Sequence, residues 1–253
     1  RFDLELGYDV NAINEILTEK GVAFDSEAVD ADLLKEGEPF VVRDSQNGYQ
    51  LDVEHSIHTV YNYMMEEWDY SDSVIQLVVN EEIPKGSASE LSQVQDVLGT
   101  FTTSFSSSGK ARSANVANGC RLIDGITLYP GEEFSTLEAI TPFTEENGYY
   151  MAASYLNGKV VDSLGGGICQ VSTTLYNAVL LAELEVTQRY NHSMIVAYVD
   201  ASADAAIAES AGKDFKFVNN TDAPIYVEGT IKNKKITVTI YGKETRDANR
   251  EVR

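Results

Sequence analysis

Apolar residues recur at helical spacing twice in the first third of the chain. Val10, Ile13, Ile16 and Leu17 share one face of Asp9–Lys20, and Gly21 follows as a stop signal. Ile57, Val60, Tyr61 and Met64 do the same over Glu54–Trp68. Between these helices stand a strand-like Pro39–Arg43, the turn pair Asn47-Gly48 and a strand-like Tyr49–Val53. Ser73–Asn80 reads as a β-branched strand, and Pro84-Lys85-Gly86 opens a linker. Strands and helices in this mixture predict a small α+β domain.

From Leu98 the pattern changes. Phe101–Ser106 alternates as a strand does, a Ser/Gly loop runs to Gly109, and Ser113–Ile123 is predicted as a helix with Ser113 as its N-cap. Tyr129–Phe134 is a turn, and Asn157-Gly158 between apolar flanks marks a hairpin. Gly165-Gly-Gly167 leads into an apolar helix from Ile168 to about Leu184, with Val171, Leu175, Ala178, Val179 and Ala182 on the buried side. Phe215–Val218, Pro224–Glu228 and Lys235–Tyr241 form a closing antiparallel meander. The whole reads as an α+β chain of two domains: 1–85, a linker at 86–98, a second domain over 99–245, and a tail at 246–253.

Charge sharpens that division. The chain has 19 Lys and Arg against 40 Asp and Glu, a net of −21. Residues 1–98 hold 22 acids and 5 bases (net −17), while residues 99–253 hold 18 acids and 14 bases (net −4). This is an acidic accessory domain ahead of a near-neutral working domain. A pI near 4.4 excludes nucleic acid and anionic lipid as partners, because phosphate binding needs clustered Lys and Arg. No stretch is long and apolar enough to cross a membrane, and no signal-peptide pattern is visible. The chain opens on Arg1 rather than Met, which leaves an upstream anchor or signal as an expectation.

The sharpest chemical signal is Gly165-Gly-Gly-Ile-Cys-Gln-Val-Ser-Thr-Thr-Leu-Tyr176. Glycines let the backbone turn tightly and approach a ligand, with Gly166 and Gly167 as candidate substrate contacts. Cys169 falls in the first helical turn, where free amides and the helix dipole predict a lowered thiol pKa and a nucleophilic thiolate. Amides near Gly167 and Cys169 could form an oxyanion hole. The competing reading is a buried structural cysteine. With only Cys120 and Cys169, one bridge, two free thiols, or one reactive thiol beside a silent one all remain open.

A thiol nucleophile needs a base. His55 and His58 lie three apart on the acidic domain's helix, a spacing that could hold a metal but lacks a third ligand, so no metal and no cofactor is expected. His192, where a strand over Arg189–Val196 would return beside the Cys169 helix, is the partner for a Cys–His dyad. Asp204 and Asp214 are candidates to orient its ring, and Asp204 is the choice. Arg189 and Ser193 flank the expected site as candidate substrate contacts. Ser107-Ser-Gly-Lys110 with Ser113-Ala-Asn115 imitates the motifs of penicillin-binding enzymes, but the two lie too close together and no Lys-Thr-Gly follows.

Leu98–Glu244 resembles the VanW domain, named from a vancomycin-resistance cluster and found in exported proteins of Gram-positive bacteria. The resemblance rests on Tyr129-Pro-Gly-Glu-Glu-Phe-Ser135, on Gly165–Asn177, on His192-Ser193, on Asp204-Ala-Ala, and on Asp214–Thr221. Leu4–Ile83 is similar to a peptidoglycan-binding domain that often precedes it. The resemblance implies an extracytoplasmic protein facing the wall, tethered by an N-terminal membrane helix upstream of Arg1. It also implies L,D-transpeptidation of peptidoglycan, with stem peptides as donor and acceptor. Cys169 would then form the acyl-enzyme that leads to 3-3 cross-links, with His192 moving the proton. The His-Gly-Cys signature of better-known L,D-transpeptidases is absent, so any shared chemistry would stand on another fold. A cysteine carboxypeptidase or endopeptidase on the same stems, and a non-catalytic wall-binding module, are the alternatives.

Overall fold

The computed structural model describes residues 7–35, 40–156, 159–247 and 249. The chain divides into two compact units, Arg1–Asp32 with Arg43–Ala88, and Leu33–Val42 with Ser89–Arg253. In the first, helix α1 (Val10–Ile16) is capped by Asp9, whose carboxylate accepts from the Asn11 and Ala12 amides. The helix expected to reach Lys20 leaves α geometry after Ile16 and continues as a π turn and a 3-10 turn to Phe24. Strands β1 (Asp32–Leu34) and β2 (Val41–Arg43) pair with each other. Strand β3 (Gly48–Leu51) pairs antiparallel with β4 (Val79–Glu82), so the strand expected from Ser73 enters its ladder only at Val79. Between them, α2 (Val53–Glu66) starts at Asp52, which accepts from the His55 amide and lies 2.8 Å from the His55 ring.

Leu33–Val42 belongs to the second unit because of what its side chains meet there. Phe40 packs edge-on against Tyr226 and Tyr241, with ring centroids 5.2 and 5.0 Å away. Lys35 pairs with Glu228 at 3.1 Å and donates to the Tyr241 hydroxyl. The stretch expected as a linker holds helix α3 (Ala88–Leu91) and the start of strand β5 (Asp96–Ser104). Leu91 and Val94 are buried in it, and such burial fixes a segment that composition alone reads as loose.

Helix α4 (Lys110–Ile123) begins a turn earlier than expected. Gly109 takes the extended cap position (φ −67°, ψ 173°), and Lys110, Ala111 and Arg112 are good helix formers, so Ser113 lies inside the helix. There follow β6 (Ile126–Leu128), β7 (Glu133–Ser135) and α5 (Thr136–Ile140). The hairpin β8 (Met151–Leu156) and β9 (Lys159–Leu164) is antiparallel, and its Asn157-Gly158 turn lies outside the described residues. Helix α6 (Cys169–Leu181) and strand β10 (Glu185–Gln188) come next. Last are β11 (Lys216–Val218), β12 (Ile225–Lys232) and β13 (Lys235–Gly242).

The main sheet has the order β5-β13-β12-β6, antiparallel throughout, and a smaller one runs β10-β11-β7. Helix α6 packs on β5 and β13, and α4 on β12. Val116 and Ile123 from α4, Val171, Leu175 and Val179 from α6, and Ile225, Val238 and Ile240 from the sheet are fully buried in one core. Each such side chain contributes about 1.5–3 kcal/mol. This core fixes the start of α6 relative to α4, which is what positions the site. Among the described residues no helix is long and apolar enough to cross a membrane.

Candidate active site

The Gly-rich turn is locked from two sides. Gly166 lies against β8 so closely that a Cβ would stand 2.2 Å from the Ala152 carbonyl oxygen. Buried Asn115 of α4 receives the Tyr150 amide at 2.8 Å and donates to the carbonyls of Tyr150 and Gly166 at 2.9 and 3.0 Å. Gly167 turns with φ +102°, and a Cβ there would sit 2.7 Å from Cγ of Arg112. The third glycine thus makes room for an arginine from another helix.

Behind the turn, each polar residue of α6 has a task. Gln170, fully buried, donates to Thr103 Oγ1 and the Ser104 carbonyl, both at 3.0 Å, and accepts from the Arg112 guanidinium at 2.9 Å. Ser172 donates to the Ala205 carbonyl at 2.7 Å, Thr173 accepts from the Ala205 amide at 3.0 Å, and Asn177 donates to the Ala203 carbonyl at 2.7 Å. The helix that starts with Cys169 therefore also carries the loop containing Asp204.

Asp204 faces His192. Its Oδ2 lies 2.6 Å from the His192 Nδ1 and 2.6 Å from the His192 backbone nitrogen. Burial works to raise the Asp204 carboxyl, but the His192 amide and ring outweigh it and hold the carboxyl below the usual range. The expected strand over Arg189–Val196 is absent. Instead the His192 amide donates to a side chain and the Tyr190 carbonyl accepts from the Ala206 amide at 2.7 Å, so the local backbone bonds to the Asp204 loop. With Nδ1 engaged, Nε2 is the ring nitrogen left for a thiol or a leaving amine.

Cys169 and His192 line the same cleft of about 320 Å³, together with Arg112, Phe143, Tyr198 and Glu209. The Cys169 sulfur donates to the Ile207 carbonyl at 3.4 Å. Here the structure corrects an expectation. Burial pushes the Cys169 thiol up, against the lowering influence of the Ile207 hydrogen bond and the Arg112 charge. Within the turn, hydrogen bonds run from the amides of Gly166, Ile168 and Gln170. Both cysteines are free, and Cys120 is buried with its thiol pushed up to about 12 by desolvation.

Three expected substrate contacts are not among the residues that line the Cys169 cleft. Arg189 donates to the Asp204 carbonyl at 2.7 Å, to Oδ1 of the same residue at 3.1 Å and to the Ser202 carbonyl at 2.9 Å, with its guanidinium 5.4 Å from the Tyr176 ring centre. It braces Asp204 and does not line the cleft of Cys169. Ser193 is exposed in a neighbouring depression that His192, Arg189 and Asp204 also line. Gly166, packed on β8, is likewise absent from the cleft wall, which Gly165 and Gly167 form. Asp214 is engaged elsewhere, with Ser135 at 2.6 Å and the Leu137 amide at 2.9 Å. Among the described residues no cluster of three metal-ligating side chains occurs. Arg112, Tyr198 and Glu209 escaped the sequence reading. For Arg112 a signal existed in its basic position at a helix start, hidden by placing that start at Ser113.

Comparison with known proteins follows the same division. Residues 111–241 match the family model described as "VanW like protein", and residues 1–67 match "Putative peptidoglycan binding domain". The chain is 32% identical over 197 residues to YoaR of Bacillus subtilis (strain 168), covering 78% of this chain and 64% of that protein. It is 26% identical over 133 residues to the vancomycin B-type resistance protein VanW of Enterococcus faecalis (strain ATCC 700802 / V583), covering 50% of this chain and 48% of that one. The chain thus spans less than two thirds of the length of either relative. No solved structure matches it.

Proposed function

This chain belongs to the VanW-like family, and from that membership together with the cleft chemistry we propose that it is a thiol acyltransferase of the cell wall, an L,D-transpeptidase that joins peptidoglycan stems. A cell-wall role accords with the peptidoglycan-binding match at residues 1–67. The observation that carries the finer reading is the shared cleft of Cys169 and His192, with the His192 ring held at 2.6 Å by Asp204.

The steps use this chain's own groups. Cys169 Sγ attacks the carbonyl carbon of the third stem residue while its proton passes to His192 Nε2. The C–N bond to the terminal residue breaks, and His192 returns that proton to the departing amine. The amides of Gly167 and Cys169 receive the developing oxyanion. A side-chain amine of a second stem then gives a proton to His192 and attacks the thioester. A new C–N bond forms, the C–S bond breaks, and the thiol regains its proton. No cofactor enters, and bonds made equal bonds broken. Burial pushes the Cys169 thiol up, which accords with proton transfer to His192 accompanying attack.

Intact-protein mass spectrometry after incubation with a disaccharide-tetrapeptide tests the proposal. The expected result is a tripeptidyl adduct on the wild type that vanishes in Cys169→Ala, with cross-linked dimer as product. Free tripeptide without dimer would make the protein a hydrolase of the same bond. Reduced thiols with neither adduct nor product would leave a wall-binding module.

A further inference from the structure

Arg112 is a half-buried guanidinium with neutral partners. Nη1 donates to Ser108 Oγ at 2.5 Å and Nη2 to Gln170 Oε1 at 2.9 Å, and among the described residues it joins no ion pair. The other arginine near the site, Arg189, already faces the carboxylate of Asp204 at 3.1 Å. Arg112 stands between the Cys169 cleft and a larger depression of about 850 Å³, and its side chain lines both. That depression is walled by Lys110 as well as Arg112, with several serines and no Asp or Glu. On a chain with net charge −21, a wall with two cations and no acid favours an anion on that side of Arg112, while Glu209 is the acid of the Cys169 cleft itself.

The guanidinium is also preorganised. Gln170 is tied to β5 through Thr103 and Ser104, so the acceptor that holds Nη2 cannot drift. Gly167 leaves space for the aliphatic stem of Arg112 where any Cβ would collide with it. A fixed, planar, always-charged fork beside a nucleophile suits a carboxylate.

We propose that Arg112 receives the terminal carboxylate of the donor stem, so that the protein selects stems ending one residue beyond the attacked bond with a free C-terminal acid. The idea rests on the acyl-transfer reading above. The departing residue carries its carboxylate on the carbon next to its amine, within a few ångströms of the Cys169 sulfur. A stem longer by one residue moves that charge about 3.3–3.6 Å further away, and a C-terminal amide lacks it.

The test is binding to the full chain carrying Cys169→Ser, by calorimetry or NMR titration, with a disaccharide-tetrapeptide as the free acid and as its C-terminal carboxamide. The acid should bind about tenfold to a hundredfold more tightly. That preference should vanish in Arg112→Gln and survive in part in Arg112→Lys. Equal affinity for acid and amide, binding of neither, or a preference that persists in Arg112→Gln overturns the proposal. The acid-to-amide ratio with Arg112 intact decides the matter even should Arg112→Gln fold poorly. Parallel acylation of the wild type separates the two ideas. An adduct formed equally from acid and amide removes the carboxylate site and keeps acyl transfer. Acid preference in binding without any adduct does the reverse.

Discussion

Asp204 holds His192 twice through one oxygen: Oδ2 lies 2.6 Å from both the ring Nδ1 and the backbone nitrogen of the histidine. A carboxylate that grips ring and main chain together sets the rotamer, the tautomer and the local backbone with one side chain. Its own second oxygen faces Arg189 at 3.1 Å, so the residue behind the base is itself fixed.

Asp204→Asn should therefore lower the rate of Cys169 acylation by about a hundredfold or more, and destabilise the fold by about 1–3 kcal/mol. The pH dependence follows from the carboxyl being held below its ordinary 3.8. Its contribution is present above that value and lost as pH falls through the lower folded one. Acid unfolding of wild type and variant should converge in that range, and a constant gap down to full protonation would contradict the account.

Alkylation of Cys169 by iodoacetamide should rise with pH through values above the ordinary 9.0, because burial disfavours the thiolate. Cys120, pushed up to about 12 and buried, should stay unmodified in the native protein. A rate plateau already reached at neutral pH would mean a standing thiolate paired with an imidazolium, and the concerted proton transfer would be wrong.

Gln170→Leu should cost about 1–3 kcal/mol by removing the donor to Thr103 and Ser104 and the acceptor of Arg112 Nη2, read as a fall in Tm. Because the same substitution frees Arg112, KM for acidic stems should rise more than kcat falls. A loss confined to Tm would limit Gln170 to a structural role.

Gly167→Ala meets two obstacles, a φ of +102° and a contact at 2.7 Å with Arg112. It should lose about 1–3 kcal/mol of stability and shift Arg112. Gly131→Ala, also at positive φ (+83°) but with open space around its Cβ position, provides the strain-only control. Equal losses of activity in both would remove the special place of Arg112.

Much of this was legible in residues 165–177, since a glycine run ahead of an apolar helix announces its turn, its helix start and its cysteine. Asp204 could also be chosen over Asp214, because the run that follows it to Ile207 could return it towards the site. Arg112 could not be tied to Cys169, because the link runs through Gln170, the two helices are far apart in sequence, and no local period records tertiary contact. Arg189 misled for a related reason. A basic residue beside an expected site reads as a substrate contact, whereas the structure uses its charge on Asp204. The direction of the Cys169 shift depends on burial that only packing creates. Likewise the strand propensity of Ile195 and Val196 yields to the hydrogen bonds that draw residues 190–192 towards 204–206.

Helix α6 holds residues 203–205 by their main chain, through Ser172, Thr173 and Asn177. Such a grip reads spacing and ignores lettering. Ala203, only part-buried, tolerates a change of side chain. Moving Asp204 by a single place against the helix, however, would present the wrong residue to His192 with every hydrogen bond of the grip still made. The site is thus written in a reading frame, tolerant of substitution around the aspartate and intolerant of slippage.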